Sequence, residues 1–466
     1  MRILLVQPPS NIPFIDKVYM HEPLALEYLG AGLKQDSHHV QLHDARIEPD
    51  VLTAARRFQP DLVAITAYTS QVNIVKELAG QLKKLEHAPF LVIGGHHATV
   101  KPDDFNDPVF DLVVIGEGVE ALRHIAMEAA GERRFTKIAG LAIPGEGFHR
   151  TPPRPHPELD DLPIPDRRLS ARYRPHYFSE WLKPLASVRT SLGCTARCSF
   201  CALWTLTEGK YLRRSPDKVV EELQTIEEKN VFFCDDESMC DVKRMDQLAE
   251  LIDQEGIQKN YFLYARVDTI IRHPELFAKW HDIGLKQVFV GMESFADDHL
   301  QEMNKGITIR QQKEAVRILK ELDILLYASF VVDPAFTKKD FRALKAYVRR
   351  LKLEHASFSV LTPLPGTSLY DERQAELLPY NPELFDFIHT VLPTTLPLAE
   401  FYDEFAKLWQ SSIPTHRAIK TFSKYGLRQL PHVFKLLAAA MKAMRQGHLD
   451  HGSSRAIKKQ TEGRRT

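Results

Sequence analysis

The sequence predicts an α/β fold: an N-terminal doubly wound parallel sheet, then a partial (β/α)6 barrel, then a helical C-terminal extension. Three observations predict it. Short apolar runs alternate with helix-period segments over about the first 145 residues. The alternation then stops in a proline-rich stretch and restarts near Ala186 for six further βα units. From about residue 374 the strand pattern ends. The expected domains are therefore 1–142, a linker over 143–184, a barrel over 185–373 and an extension over 374–466.

In the first domain Ile3–Val6 reads as a buried strand and Leu24–Leu33 as a helix. Val40–His43 and Leu62–Thr66 read as strands, and Ser70–Leu85 as a helix. Phe90–Ile93 is a strand ending in Gly94-Gly95, and Leu112–Ile115 is one ending in Gly116-Glu117-Gly118 before a helix. Open parallel sheets bind ligands beyond the carboxyl ends of their strands. The loops Gln7–Ser10, Ala67–Ser70, Gly94–Thr99 and Gly116–Gly118 lie there, and glycine permits close backbone approach. No G-x-G-x-x-G follows the first strand, which disfavours a dinucleotide.

The linker carries Pro144, Pro152, Pro153, Pro155, Pro157, Pro163, Pro165, Pro175 and Pro184. Apolar residues alternate through it, so it reads as an extended strap. Beyond it, strands read at Ala186–Thr190, Val231–Asp235, Tyr261–Val267, Gln287–Met292, Leu325–Val332 and Ser357–Thr362. Helices read at Pro216–Ile226, Val242–Gln254, Pro274–Ile283, Thr308–Leu322 and Thr337–Leu351. Barrels place chemistry at the carboxyl ends of their strands. Asp235-Asp236, Arg266 with Asp268, Glu293-Ser294 and Asp333 stand at such ends.

Cys194, Cys198 and Cys201 follow the first barrel strand with spacing C-x3-C-x2-C. Three thiolates can hold three irons of a four-iron cluster and leave the fourth open to a chelating ligand. Zinc is a poor match, because paired C-x2-C ribbons and a close fourth ligand are absent. A disulfide would crowd three thiols. Cys234, in the apolar run Val231-Phe-Phe-Cys, reads as a buried strand residue, and neither it nor Cys240 repeats the pattern.

This triad, with Phe200 before its last cysteine, resembles the radical S-adenosylmethionine (SAM) superfamily. The resemblance implies a [4Fe-4S] cluster on Cys194, Cys198 and Cys201 that chelates SAM and cleaves it to a 5′-deoxyadenosyl radical. It further implies Glu293 at the SAM ribose, within Val290-Gly-Met-Glu-Ser294. Arg266 would meet the methionine carboxylate, and Asp235 or Asp236 the methionine amino group. Ser294 and Phe200 would stand in the same SAM site. A helix-capping or ion-pair role is the alternative for each of these positions. Leu364-Pro-Gly-Thr-Ser-Leu-Tyr370 matches a further landmark.

Pro23-Leu-Ala-Leu-Glu-Tyr-Leu29, Gly94-Gly95-His96-His97-Ala98-Thr99 and Gly116-Glu117-Gly118 resemble the cobalamin-binding domain that precedes many radical SAM enzymes. By that resemblance Gly94, Gly95, His96, Thr99, Gly116 and Glu117 contact cobalamin. The D-x-H-x-x-G motif is absent, since Asp44-Ala-Arg46 lacks the histidine. His96 and His97 are then hydrogen-bonding loop residues before they are cobalt ligands. A cofactor-free flavodoxin-like module is the alternative for this domain.

The linker run Leu159-Asp-Asp-Leu-Pro-Ile-Pro-Asp166 and the domain order resemble the class B radical SAM methylases. Ala328–Pro334, Phe385–Pro397 and Glu400–Tyr402 resemble the hopanoid C-3 methylase branch. The resemblance implies C-methylation of an unactivated carbon in a hydrophobic small molecule, with electrons from a donor such as flavodoxin or ferredoxin. A cobalamin-dependent cyclase or oxidase, and a non-catalytic cobalamin sensor, are the alternatives.

The formal charge is +0, which hides an asymmetry: from Arg417 onward 12 Lys/Arg face only Asp450 and Glu462. Arg417–Arg445 mixes these cations with Ile419, Phe422, Leu427, Leu430, Phe434, Leu437 and Met441. Such a segment either lies on an anionic bilayer or forms a helical pair packed on the barrel, with Pro431 breaking it in two. No nucleic-acid partner is expected. The N-terminal strand lacks the apolar run of a signal peptide and no apolar run is long enough to span a bilayer. A cytoplasmic enzyme is expected, and on the first of these two readings it associates peripherally with a membrane through its basic C-terminus.

Overall fold

The computed structural model describes residues 1–12, 15–179, 182–412 and 430–451, with side chains from 438 onward in the last segment. The chain packs as two compact units, Met1–Cys194 with Ala202–Asp236, and Thr195–Cys201 with Glu237–Thr466.

The first unit is built on a seven-stranded sheet. Its strands are β1 (Arg2–Gln7), β2 (His39–Asp44), β3 (Leu62–Thr66), β4 (Phe90–Gly94), β5 (Leu112–Val114), β6 (Leu141–Ile143) and β7 (His149–Arg150), in the order β2-β1-β3-β4-β5-β6-β7. β1 to β5 are parallel, while β6 and β7 are antiparallel edge strands. Order 2-1-3-4-5 is the flavodoxin-like winding, whose switch point lies between β1 and β3.

Helices cover both faces: α1 (Leu24–Gln35), α2 (Val51–Phe58), α3 (Val72–Leu82), α4 (His96–Val100) and α5 (Val119–Ala130). Two apolar layers result, one around Ile3, Leu5, Leu26 and Leu122, the other around Leu4, Val6, Val75 and Ile93. The central strands β3, β4 and β5 are mostly apolar because both their faces are buried. α2 starts where Asp50 accepts from the Thr53 amide at 2.9 Å.

The same unit holds β8 (Leu185–Val188), α6 (Leu203–Leu206), α7 (Pro216–Gln224) and β9 (Asn230–Phe233), with β8 and β9 paired in parallel. Cys234 therefore lies beyond the strand, half-buried against Leu24, Tyr28 and Val119, rather than within it. The proline-rich stretch is not extended throughout. Short 3-10 turns form at Leu159–Asp161, Arg167–Ser170 and Arg174–His176, and Phe178–Ser179 pairs with Tyr19–Met20.

Charged side chains anchor it. Arg167 donates to Glu222 at 2.6 Å, Arg174 to Glu22 at 2.7 Å, and Lys34 to Asp166 at 2.6 Å. Arg214 also pairs with Glu222, and Ser170 with Glu27. Removing one partner of a buried pair costs on the order of 3–5 kcal/mol, so the strap is held rather than draped.

The second unit contains β10 (Asn260–Tyr264), β11 (Leu285–Glu293), β12 (Leu325–Val332) and β13 (His355–Val360), parallel neighbours in that order. Between them run α8 (Val242–Gln254), α9 (Val267–Arg272), α10 (Pro274–Asp282), α11 (Asp297–Glu302), α12 (Ile309–Glu321) and α13 (Lys338–Arg350). With β8 and β9 these make the six expected βα strands. Capping boxes at Thr308/Gln311 and Thr337/Asp340 start α12 and α13. The strand expected to reach Val267 stops at Tyr264, because Arg266 opens α9.

The extension begins with α14 (Ser368–Arg373), followed by α15 (Leu398–Ser411) and α16 (Leu430–Asp450), which packs along α15. Pro431 lies in the first turn of α16, where its missing N–H is harmless. The sequence upstream of it, 413–429, lies outside the described residues. No helix among the described residues is long and apolar enough to cross a membrane.

Candidate functional site

The cysteines lie on the loop that follows β8. The chain passes from the first unit to the second between Cys194 and Thr195 and returns at Ala202. In the first unit, buried Asp235 holds the start of this loop. Its Oδ1 accepts from the amides of Thr190 at 2.6 Å and Ser191 at 2.9 Å, and its Oδ2 from the Thr190 hydroxyl at 2.6 Å. Asp236 accepts from the Gly193 amide at 2.7 Å. Gly193 has φ +94°, and a Cβ there would lie 2.1 Å from the Lys210 carbonyl oxygen, so only glycine fits before Cys194. Asp235 is thus committed to the loop, which corrects the expectation that it is open to the amino group of SAM.

In the second unit the loop is clamped from two sides. The Asn304 side chain donates to the Arg197 carbonyl at 2.7 Å, and the Ser199 amide to the Met303 carbonyl at 3.0 Å. The Leu369 amide donates to the Ser199 carbonyl at 3.0 Å. Phe200 packs against Met303, Val331, Leu361 and Leu369. None of the five cysteines is in a disulfide. Among the described residues no three His, Cys, Asp or Glu side chains are grouped to hold a single metal ion. Three thiols on a backbone fixed this firmly suit an iron–sulfur cluster, whose usual ligands are Cys thiolates.

Glu293 ends β11 with φ +62°, a conformation that costs a non-glycine residue about 1–3 kcal/mol. Its Oε1 meets Lys305 Nζ at 2.6 Å. Gly291 leaves room for the pair, since a Cβ there would lie 2.2 Å from Glu293 Oε1. Arg266 is braced by Asp268 at 2.9 Å and points a second donor at the Lys305 carbonyl at 3.4 Å. Ser294 caps a turn through the Ala296 amide at 3.3 Å, and Asp333 does so through Ala335 at 2.7 Å.

Lys305 was invisible in the sequence except as part of a turn ending in Gly306. Glu237 was missed too. It is buried beside the Arg266 backbone and the Cys240 thiol, and burial pushes its pKa up to about 7.

In the first unit the switch-point loops are tied together. Gln71 accepts from the Tyr68 amide at 3.1 Å and donates to the Pro9 carbonyl at 3.0 Å. Thr99 Oγ1 donates to the Gly95 carbonyl and accepts from the Gly116 amide, both at 3.0 Å. Glu117 accepts from the Val119 amide at 2.7 Å, which caps α5. Gly95, φ +98°, is glycine because a Cβ would strike Thr66 Oγ1 at 2.5 Å. Gly94 would take a Cβ with ordinary contact to Val114. Gly116, φ +85°, has open space where its Cβ would be, a cradle for a ligand.

His97 is fully buried, with Nδ1 3.0 Å from Thr69 Oγ1 and Nε2 3.0 Å from Asp104, so neither nitrogen is available to a metal. His96 stacks on Tyr68, ring centroids 4.9 Å apart at 17°. Burial and the nearby Arg189 charge lower its pKa, so it is neutral at pH 7. Tyr68 and Tyr19 are 54% and 43% exposed, although the surrounding protein raises the pKa of both. Exposed rings enclosed by protein line a recess, and flat aromatic walls beside an open glycine fit a planar cofactor such as a corrin.

Two family models match different parts of the chain. Residues 15–126 match the B12 binding domain family and residues 188–348 the radical SAM superfamily. The chain is 31% identical over 424 residues to the hopanoid C-3 methylase of Methylococcus capsulatus, covering 89% of this chain and 81% of that one. It is 27% identical over 424 residues to the anaerobic magnesium-protoporphyrin IX monomethyl ester cyclase of Cereibacter sphaeroides, covering 86% and 69%. Among solved structures, the cobalamin-dependent SAM radical enzyme OxsB with aqua-cobalamin and SAM bound superposes with TM-score 0.72 at 15% identity, covering 96% of this chain and 72% of that one. The radical SAM methyltransferase TsrM of Kitasatospora setae gives 0.68 at 18%, covering 90% of each. At these identities the two structures establish the fold.

Proposed function

The chain belongs to the radical SAM enzymes that carry an N-terminal B12 binding domain, and we propose that it methylates an unactivated carbon of a hydrophobic, hopanoid-like molecule. The observation that carries the choice of reaction is the 31% identity to a hopanoid C-3 methylase along 89% of the chain. On the methylase reading, a bound cluster would supply the electron that cleaves SAM, and bound cobalamin would supply the methyl group.

The residues divide the work as follows. Cys194, Cys198 and Cys201 hold the cluster. Asp235, Asp236, Asn304 and the backbone around Ser199 hold the loop that carries these cysteines. Glu293 takes the SAM ribose, with Lys305 orienting its carboxylate. Arg266 takes the methionine carboxylate, for which a braced guanidinium is suited. Glu237, a buried carboxylate, takes the amino group, whose charge would compensate its burial. Gly116 and the Tyr68–His96 wall receive the cobalamin, while Gly94, Gly95, Thr99 and Glu117 shape the loops around it. A small electron donor such as flavodoxin or ferredoxin reduces the cluster. The basic C-terminal segment meets an anionic membrane surface from the cytoplasmic side, where a lipid substrate resides.

A cyclase reading is favoured by one observation, the 27% identity to the protoporphyrin ester cyclase. Lipid extracts of a deletion strain and its parent separate the two. The methylase reading expects a compound one methyl heavier in the parent only. A pair differing by a ring or by oxygen refutes it. Flotation with anionic liposomes at low salt tests the membrane contact, which is wrong if the protein stays at the bottom of the gradient.

A further inference from the structure

We propose that Arg189 is a positioning residue for cobalamin, its guanidinium donating to carbonyl oxygens on the corrin rim. The proposal rests on the cobalamin reading of the first domain. Arg189 follows β8 directly and precedes Thr190, the residue that Asp235 pins by both amide and hydroxyl. Its own carbonyl accepts from Arg214 at 3.2 Å. Its backbone is therefore fixed five residues ahead of Cys194.

The side chain leaves this strand end toward the switch-point loops. The guanidinium carbon lies 5.5 Å from the ring centroid of Tyr28 on α1. Tyr28 packs with Leu24, Cys234 and Val119, and Val119 opens α5 immediately after Gly116-Glu117-Gly118. Arg189 also perturbs His96 and Tyr68 electrostatically, so its charge stands beside the stacked pair that lines the recess.

What singles Arg189 out is its lack of an acceptor. Arg46 holds Asp44, Arg167 and Arg214 hold Glu222, and Arg174 holds Glu22. Arg189 makes no hydrogen bond or ion pair with its side chain among the described residues. The two carboxylates whose charges act on it, Asp235 and Asp236, are turned to loop amides instead. A half-buried guanidinium with five donors and only a ring face for company is costly unless a ligand brings oxygen acceptors. Amide carbonyls on a corrin rim are such acceptors, and they are neutral, so the cation needs no counter-charge in the recess. One rigid strand end would then set both the first cluster cysteine and the edge of the corrin.

The test uses the full-length, anaerobically reconstituted protein and three variants: Arg189→Met, Arg189→Lys and Tyr28→Phe. Hydroxocobalamin affinity is measured by equilibrium dialysis, and iron per chain is measured in parallel. The proposal expects Arg189→Met to bind about tenfold or more weakly with iron unchanged. Arg189→Lys should recover part of the loss, and Tyr28→Phe should bind like the parent. Parent-level binding by Arg189→Met overturns the proposal. So does a Lys variant as weak as the Met variant, since a purely steric role gives that pattern. If the parent itself binds no cobalamin, the domain reading fails and the proposal with it.

Discussion

Replacing Asp235 separates a loop anchor from a SAM ligand. Asp235→Ala removes the acceptor of three hydrogen bonds, at 2.6, 2.9 and 2.6 Å, in a place that water does not reach. Each buried donor left unmatched costs about 1–3 kcal/mol. With partial relaxation the total is about 3–6 kcal/mol. Asp235→Asn keeps Oδ1 for the two amides, and the Thr190 hydroxyl can rotate to accept, so it should cost about 1 kcal/mol. Urea unfolding measures the stability, and iron per chain after reconstitution measures the loop. The account expects Asp235→Ala to lose both, and Asp235→Asn to keep most of each and to bind SAM normally. The reasoning is refuted if Asp235→Asn reconstitutes fully yet fails to bind SAM, or if Asp235→Ala falls within about 1 kcal/mol of the parent.

Three further outcomes follow from the geometry. Gly116→Val should abolish cobalamin binding while leaving the cluster intact, whereas Gly94→Ala should change neither, as spectra of the reconstituted variants would reveal. Electron paramagnetic resonance of bound cob(II)alamin should show no nitrogen coupling from the protein, and His96→Ala should leave that spectrum unchanged. In the extension, burial would lower the His389 pKa, but hydrogen bonds to Asp386 at 2.7 Å and to Asp450 at 3.2 Å outweigh it and raise it to about 9. A raised folded value means that the stabilisation is complete below the unfolded value near 6.5 and is lost as pH rises through 9. The shift corresponds to about 3 kcal/mol at most, and to about 1–2 after allowing for the exposed Asp450 carboxylate. Hydrogen-exchange protection at the end of α16, corrected for the intrinsic rise of exchange with pH, should therefore fall between about pH 8 and 10 and stay level in His389→Gln.

Local signals carried most of the fold. Leu62–Thr66 and Leu325–Val332 were legible to the residue, because buried parallel strands are apolar on both faces. β6 and β7 escaped, being two or three residues long and set among Gly140, Gly145 and Gly147. α2 and α4 escaped as well, since eight and five residues give too few turns for a period. The site was legible where spacing alone carries chemistry, as at the three cysteines. It was not legible where a residue's meaning depends on a partner far along the chain. Asp235 reads as a strand-end carboxylate until Thr190 and Ser191 are found on it. Lys305 means little until Glu293 lies 2.6 Å away. His96 and His97 look alike in sequence, yet one is locked by Thr69 and Asp104 while the other stacks in the open recess.

The central claim is methyl transfer by radical chemistry, and its most direct measurement is anaerobic turnover of the reconstituted protein with methyl-labelled SAM, a reductant and lipid extract from the deletion strain. The account predicts that labelled methyl enters a lipid in step with 5′-deoxyadenosine, and that both vanish when Cys194, Cys198 and Cys201 are replaced by Ala. Deoxyadenosine formed without label in any product, or labelled product formed by the cysteine-free variant, would contradict it.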